Sequence, residues 1–423
     1  MTFKSKNIQL GELIEVHHGF AFKGEFFTEE PTNALVLTPG NVRIGGGFKF
    51  GKPKYYNGSI PEIFVFNPGD IFVTMTDLSK TGDTLGYPAR VPSIGQLQLL
   101  HNQRLGRIEI TQPTHLDIDY LYYLMLSEDY RQEVLASASG STVKHTSPAR
   151  IKGYQFVLPP IDRQKEIASI LKIHDTKISN NERTITILEQ LAQTLFKSWF
   201  VDFDPVVAKS EGRKPFGMSD EIAALFPDSF EESELGAVPR GWRVERVENL
   251  VSRISITKKY EQKTALPVGL VPILDQGRSG LIGFHNNEPD VFASPIDPVI
   301  VFANHTCYMR LLSYPFSAIQ NVLPFKGNGV DTTWLYLATV NIQEFISYKG
   351  HWPDFVFNKI VVPCPRLQAR YKEIALPLLQ KMWALDKENE LLRKCRDTLL
   401  PHLLSSELHD EAQPLLAKEA TAA

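Results

Sequence analysis

A chain of 423 residues is longer than one ordinary domain and suits two or three. At 43% hydrophobic and 22% charged it reads as a soluble globular protein, with no apolar run of membrane-spanning length, no signal-peptide core behind Met1, and only Cys307, Cys364 and Cys395, at no metal-ligand spacing, which points to a reducing cytoplasm and against disulfides or structural zinc. The formal net charge of −3 argues against a chain that grips duplex DNA unaided, and leaves room for one that borrows positive surface from a partner.

Residues 1–158 read as a globular module of short β-type runs, at 63–66, 70–76 and 105–110. Arg43, Lys49, Lys52 and Lys54 form a basic run with no acid between Asn41 and Ile60, interleaved with Gly45-Gly46-Gly47, Phe48, Tyr55 and Tyr56. Such a loop can approach backbone phosphates closely, or it is an ordinary solvated loop. Gly46 to Lys52 nearly spells a phosphate-binding loop, but Pro53 stands where the metal-binding hydroxyl belongs, which argues against nucleotide binding. Thr74, Thr76, Asp77 and Lys80 follow the 70–76 run, where strand-end polar groups either read base edges or make the turn. Thr142, Lys144, His145 and Thr146 form a second polar loop able to reach DNA bases or phosphates.

Residues 159–201 carry a 4–3 apolar alternation through Ile167, Leu171, His174, Ile178, Asn181, Ile185, Leu188, Ala192, Leu195 and Trp199, a long helix behind the entry Leu158-Pro159-Pro160. Residues 202–238, with scattered Gly and Pro and the acids Glu231, Glu232 and Glu234, read as a linker with little core. A second module, 239–362, repeats the flavour of the first, with a β-run at 297–303 and a helical stretch Thr333-Trp334-Leu335-Tyr336 that answers Asp119-Tyr120-Leu121-Tyr122. Its polar loops offer Arg278, Ser279, Asn304, His305, Lys326, Asn328 and Lys349 as DNA-contact candidates. Residues 363–408 form a second long helix after Pro363-Cys364-Pro365. A shift of 207 residues aligns Gln164-Lys165-Glu166-Ile167 with Tyr371-Lys372-Glu373-Ile374 and puts Leu378, Lys381, Leu385, Glu388, Leu392, Cys395, Leu399 and His402 on the seam, so that His174 answers Lys381 and Asn181 answers Glu388. Pro377 predicts a kink near the start of this helix. The two helices either pair as a coiled coil or pack in separate cores. Residues 409–423 read as a disordered, Ala-rich tail.

At this point the chain resembles the specificity subunits of type I restriction–modification systems, over nearly its whole length. Gly19-Phe20-Ala21-Phe22-Lys23, the stretch from Gly69 to Asp77, and Asn102-Gln103-Arg104-Leu105-Gly106-Arg107-Ile108 resemble that family's target-recognition blocks. The stretch from Leu195 to Phe203 resembles the exit of its central helix, 226–242 its linker, and Arg396-Asp397-Thr398-Leu399-Leu400-Pro401 its distal helix. The second module departs from the pattern: Ser252-Arg253-Ile254-Ser255-Ile256 replaces the Gly-x-Ala-Phe-Lys start, and nothing matches Met75-Thr76-Asp77.

The resemblance implies an α+β fold: two globular β-rich target-recognition domains separated by two long helices in an antiparallel coiled coil, as a pseudo-twofold repeat. It implies a chain that reads a split DNA site, one half per domain, with Lys23 joining the DNA-contact candidates. Two methyltransferase subunits and the restriction motors would dock on it, and S-adenosylmethionine, ATP and Mg would sit on those partners rather than here. About 35 helical residues span roughly 50 Å, more than one duplex turn of about 34–36 Å. No methyltransferase tetrapeptide, His-Glu-x-x-His or Gly-x-Ser-x-Gly occurs, Glu261-Gln262-Lys263 lacks an acidic partner, and His17-His18 reads as structural. A stand-alone DNA-modifying enzyme and a coiled-coil adaptor that never touches DNA are the competing readings. Activity of the purified chain tests the first, and gel shift with partners present tests the second.

Overall fold

The computed structural model describes residues 6–79, 81–256, 258, 260–277 and 280–405. Lys80, Arg278, Ser279 and the tail 409–423 therefore lie outside the described residues. The chain divides into two units, Met1–Ile178 with Glu390–Ala423, and Ser179–Asn389.

In the first unit β1 (Lys6–Gln9), β2 (Ile14–His18), β3 (Ala34–Leu37), β4 (Ile71–Thr74), β5 (Thr76–Asp77), β6 (Pro88–Arg90), β7 (Gln98–His101) and β8 (Leu105–Ile110) are followed by α1 (Ile118–Leu124) and α2 (Glu128–Ala136). Then come β9 (Lys144–His145), β10 (Gln155–Leu158) and the long α3 (Ile161–Phe200), whose residues up to Ile178 belong to this unit. An antiparallel sheet runs β2-β8-β4-β6, while β3 pairs in parallel with β7. Every residue of β4, Ile71-Phe72-Val73-Thr74, is buried, as expected of an inner strand covered on both faces. The run expected as a strand at 63–66 is instead a 3₁₀ turn at Glu62–Phe64 followed by a single bridge from Val65 to Leu100.

The second unit contains β11 (Arg243–Arg246), β12 (Val251–Arg253), β13 (Val271–Leu274), β14 (Gly283–His285), β15 (Val299–Ala303), β16 (Met309–Leu312), β17 (Ser317–Ala318) and β18 (Val322–Gly327). They are followed by α4 (Thr332–Thr339), α5 (Trp352–Phe357), β19 (Lys359–Val362) and most of α6 (Pro365–Leu404). Its antiparallel sheet runs β12-β18-β15-β16, the same connectivity as β2-β8-β4-β6. The parallel pair recurs as β13 with β17, and the closing pair β1 with β10 recurs as β11 with β19. Residues 202–238 are not a core-poor linker. They fold as helices at Asp204–Ser210 and Asp220–Ala223 and a hairpin of Phe230–Ser233 with Gly236–Pro239. Val206 and Phe226 are buried with Trp199 and Trp242, so burial of apolar side chains outweighed the turn-forming composition.

In each unit the two long helices lie alongside one another in opposite directions. In the first, Ile167 and Leu171 share a core with Leu400 and Leu403, and Arg396 meets Asp175 at 2.7 Å. In the second, the Tyr371 hydroxyl donates to the Ala192 carbonyl at 2.9 Å, and Asn181 Nδ2 donates to Glu388 Oε2 and Asn389 Oδ1, both at 2.9 Å. α6 continues through Pro377 as one helix, with that ring exposed.

The 207-residue register needs correction. Gln164, fully buried, accepts from the Asp117 amide at 2.9 Å and donates to the carbonyls of Pro159 and His115. Gln368, also buried, accepts from the Asp331 amide at 2.9 Å and donates to the Pro363 carbonyl. Asp117 and Asp331 are the N-caps of α1 and α4, so the two glutamines play one role and stand 204 positions apart. At that offset Ile167, Leu171, Ile178 and Trp199 fall on Tyr371, Ala375, Met382 and Leu403, which face inward, while Lys381, Cys395 and His402 are exposed. Asn389 rather than Glu388 is the buried polar residue. His174 Nδ1 bonds its own helix, to the Ile170 carbonyl at 3.1 Å.

Candidate nucleic-acid interface

In the first unit the turn after β4 is built from its own polar side chains. Thr74, fully buried, donates its hydroxyl to the Thr84 carbonyl. Asp77 accepts from the Thr84 amide and hydroxyl and from the Ser79 amide. Burial pushes the Asp77 carboxyl up, and the hydrogen bonds from Thr84 and Ser79 outweigh it, holding the group below its ordinary value. Gly82 and Gly86 have positive φ, and a Cβ on Gly86 would stand 2.7 Å from Val134, so the loop presses onto α2. Arg131 of α2 holds it there: the guanidinium donates to the Gly82 carbonyl and lies 4.3 Å over the Tyr87 ring.

This loop meets the second polar patch. β5 pairs with β9, setting Asp77 beside Lys144 and Thr76 beside His145, whose Nδ1 is 3.3 Å from the Thr76 hydroxyl. Arg150 reaches the same corner, donating to Ser139 and to the His145 carbonyl. Thus two stretches about 70 residues apart in sequence converge. Their roles differ from the expectation. Thr74, Thr76, Asp77 and Thr146 are buried, Thr74 and Asp77 holding the loop, while Thr142 and His145 are exposed and Lys144 is half-buried. Thr74 and Asp77 are buried because they bond the loop backbone, which no alternation pattern reports. Thr76 instead meets the His145 ring, and the buried Thr146 hydroxyl has no hydrogen-bond partner among the described residues.

The glycine-rich basic loop is separate. Gly45, Gly46 and Gly47 all have positive φ, and the Gly47 amide donates to the Pro88 carbonyl, tying the loop to β6. It precedes no helix, so the phosphate-loop geometry is absent here. Lys52 pairs with Glu29 at 3.0 Å and Lys23 with Glu25 at 3.9 Å, whereas Lys54 is exposed and Arg43 and Lys49 are half-buried. The interleaved Phe50 is 65% exposed.

In the second unit, residues 304–308 after β15 take the sheet position that 75–87 take after β4. Asn304 caps the start of α5: its Oδ1 accepts from the Trp352 amide and its carbonyl from the His351 amide. His305 is half-exposed, its amide donating to Gln276 Oε1 at 2.8 Å. Cys307 sits at φ 57°, a strained setting for a side chain with a Cβ, closing the turn through its amide to the Ala303 carbonyl. Lys349 pairs with Asp354 at 2.8 Å and Lys326 with Asp297 at 2.6 Å. Asn328 donates to the Asn249 carbonyl, on the far side of the unit's sheet from the turn that carries His305, at the β12 edge. The structure thus brings Asn304, His305 and Lys349 together and leaves Lys326 and Asn328 elsewhere. Sequence reasoning missed Arg131, Arg150, Gln276 and Tyr348, since helix and loop residues of ordinary type carry no local signal of long-range contact.

Among the described residues no group of three or more His, Cys, Asp or Glu side chains could hold a metal ion, and no helix is long and apolar enough to cross a membrane. Two β-rich units with polar loops at sheet ends, built on one strand order and each carrying long-helix segments, define an α+β architecture. Residues 4–190 match the family described as the type I restriction modification DNA specificity domain. The chain is 26% identical over 365 residues to the type I restriction enzyme MjaIX specificity subunit of Methanocaldococcus jannaschii, covering 81% of this chain and 79% of that one. It is 22% identical over 370 residues to the HindI specificity subunit of Haemophilus influenzae, covering 69% and 77%. The crystal structure of a type I restriction–modification S subunit from M. genitalium shares the fold, with a TM-score of 0.54 at 17% identity over 95% of this chain and 96% of that one. Residues 4–190 thus match a DNA specificity domain, and over most of its length the chain is similar to type I restriction–modification specificity subunits.

Proposed function

We propose that this chain is the sequence-reading subunit of a type I restriction–modification complex, binding a bipartite DNA site with one half-site per recognition unit. The observation that carries it is the match of 4–190 to a DNA specificity domain, together with a second unit built on the same strand order and the same glutamine clamp. On this reading the two units are a pseudo-twofold repeat, and the paired segments of α3 and α6 are an antiparallel coiled coil that sets the distance between half-sites. Thr142, Lys144 and His145 serve the first half-site, and His305 and Lys349 the second. Arg43, Lys49, Lys52, Lys54 and Lys23 contribute phosphate contacts. The partners are double-stranded DNA, two methyltransferase subunits and the restriction motors. The chain itself carries no catalytic centre, and S-adenosylmethionine, ATP and Mg belong to the partner subunits. Its setting is the cytoplasm. The net charge of −3 fits a chain whose partners add to the phosphate grip.

The test is co-expression with the methyltransferase subunit of its own system and mapping of methylated adenines on host DNA. The expected result is a bipartite motif with a fixed gap. A stable complex without methylation would favour the adaptor reading. Removing seven residues from α3 shortens it by about 10 Å. The gap should then shrink by up to about three base pairs with both half-sites unchanged.

A further inference from the structure

The two units each present a histidine at the sheet-end turn, and the partners of their ring nitrogens differ in a way that matters chemically. His145 Nδ1 faces the Thr76 hydroxyl, which can donate or accept, so that contact does not fix which nitrogen carries the proton. His305 Nδ1 faces the Lys349 carbonyl at 2.9 Å, and a carbonyl only accepts. The Nδ1 of His305 therefore carries hydrogen, and in the neutral ring Nε2 presents a lone pair. Nε2 has no hydrogen-bond partner among the described residues.

The ring is also held. Tyr348 stacks on it with centroids 4.9 Å apart and planes 20° from parallel, although Tyr348 is itself 82% exposed. Gln276 fixes the backbone from a third loop, through the His305 amide and through its own carbonyl, which accepts from the Thr306 hydroxyl. Three loops thus converge on one half-exposed imidazole of defined tautomer.

We propose that His305 is a specificity-determining residue of the second unit, reading an exocyclic amino group (adenine N6 or cytosine N4) in the major groove through Nε2 as acceptor. This rests on the DNA-reading function proposed above. In the major groove only adenine and cytosine present a donor, while guanine and thymine present acceptors at the corresponding edge. A lone-pair reader accepts the first two and rejects the others. Tyr348 is its positioning residue.

The experiment compares methylated motifs made by the complex carrying the wild-type chain, His305→Ala, His305→Lys, Tyr348→Phe and Tyr348→Ala. With His305→Ala, one base position of one half-site should relax by roughly tenfold or more in discrimination, the other half-site staying intact. His305→Lys, which only donates, should move that position towards guanine. Tyr348→Phe keeps the stack and should keep the motif, and Tyr348→Ala should loosen the same position that His305→Ala loosens. If His305→Ala fails to fold, His305→Lys marks the position against which the two Tyr348 variants are read. An unchanged motif in His305→Ala, an even loss of methylation across all sites, or relaxation by Tyr348→Ala at a different position overturns the proposal. A wild-type complex that yields no bipartite motif overturns the proposed function, and this assignment with it, whereas a clean motif indifferent to His305 overturns this assignment alone.

Discussion

The first and second units share a sheet and differ in the loops mounted on it. The strand order β2-β8-β4-β6 returns as β12-β18-β15-β16, and the N-caps Asp117 and Asp331 are clamped by Gln164 and Gln368 through the same atoms. Beyond the sheet the likeness stops. Residues 75–87 make a long excursion held down by Asp77, Arg131 and two positive-φ glycines. Residues 304–308 make a tight turn, and the 345–351 segment comes across to build the surface instead. A loop surface can thus be rebuilt without disturbing the core, because each loop is fixed by contacts inside its own unit. Variable loops on a fixed scaffold are a general solution, and here two versions stand in one chain.

The sharpest test of the shared scaffold lies one turn past each N-cap. Tyr120 and Trp334 both follow their capping aspartate by three residues, and both are essentially fully buried. Replacing either with Ala should cost about 3–5 kcal/mol, read from urea unfolding of the full chain. Limited proteolysis should then show new cleavage in the unit that carries the change. A loss below about 1 kcal/mol at one of the two positions would break the equivalence.

The next effect comes from a place where the units differ. In the parallel pair of the first unit Leu37 faces His101, and in that of the second Leu274 faces Ala318. His101 is buried, its Nε2 donating to the Leu105 carbonyl at 2.9 Å, and burial lowers its pKa to about 4. The unfolded chain, with an ordinary imidazole near 6.5, takes up the proton first. Stability is therefore full above about pH 6.5, falls as pH drops from there to about 4, and levels off below, a loss of roughly 3 kcal/mol. His101→Leu should flatten that stretch of the stability–pH curve. Burial also lowers the pKa of His285 in the second unit, so a smaller slope in the same direction should survive. A curve identical in wild type and variant would remove His101 from the account.

Much of this was legible in the sequence, for reasons that also mark its limits. The two 40-residue helices announced themselves because a 4–3 apolar alternation over that length has no other use. The run at 297–303 became β15 because Val299, Ile300, Val301 and Phe302 fill it, and 105–110 became β8 on the alternation of Ile108 and Ile110 with polar neighbours. The offset between the two helices was not legible: a slip of three residues keeps only every second seam position, but those are Leu378, Leu385, Leu392 and Leu399, so 204 and 207 both look apolar and the N-cap clamp chooses 204. The 202–238 segment misled because Gly, Pro and acid count against a core, while Val206 and Phe226 are buried in one and Phe203, Ile222, Leu225 and Phe230 pack against it. In the candidate interface, the sequence marked the right loops but not the division of labour inside them. Thr74 and Asp77 look like strand-end readers, and only the fold shows that Thr84 occupies them.

The clamp itself yields the smallest effect and the most direct test of the 204-residue correspondence. Gln164→Ala leaves the Asp117 amide and the Pro159 and His115 carbonyls without their side-chain partner, and Gln368→Ala leaves the Asp331 amide and the Pro363 carbonyl. Each should cost about 1–3 kcal/mol, Gln164 the more because it serves one carbonyl beyond its counterpart. Glu in place of either Gln should cost more than Ala. A carboxylate can still accept from the aspartate amide, but it turns an oxygen towards the carbonyls that the amide group had donated to, and it carries its charge into a buried site. Equilibrium unfolding of the four variants gives the answer. Two parallel pairs of losses, with Glu worse than Ala in each, mean one structural device used twice. A silent Gln368→Ala beside a costly Gln164→Ala would mean that the matching hydrogen bonds do not do matching work, and that the 204-residue correspondence rests on the inward-facing positions of the two helices alone.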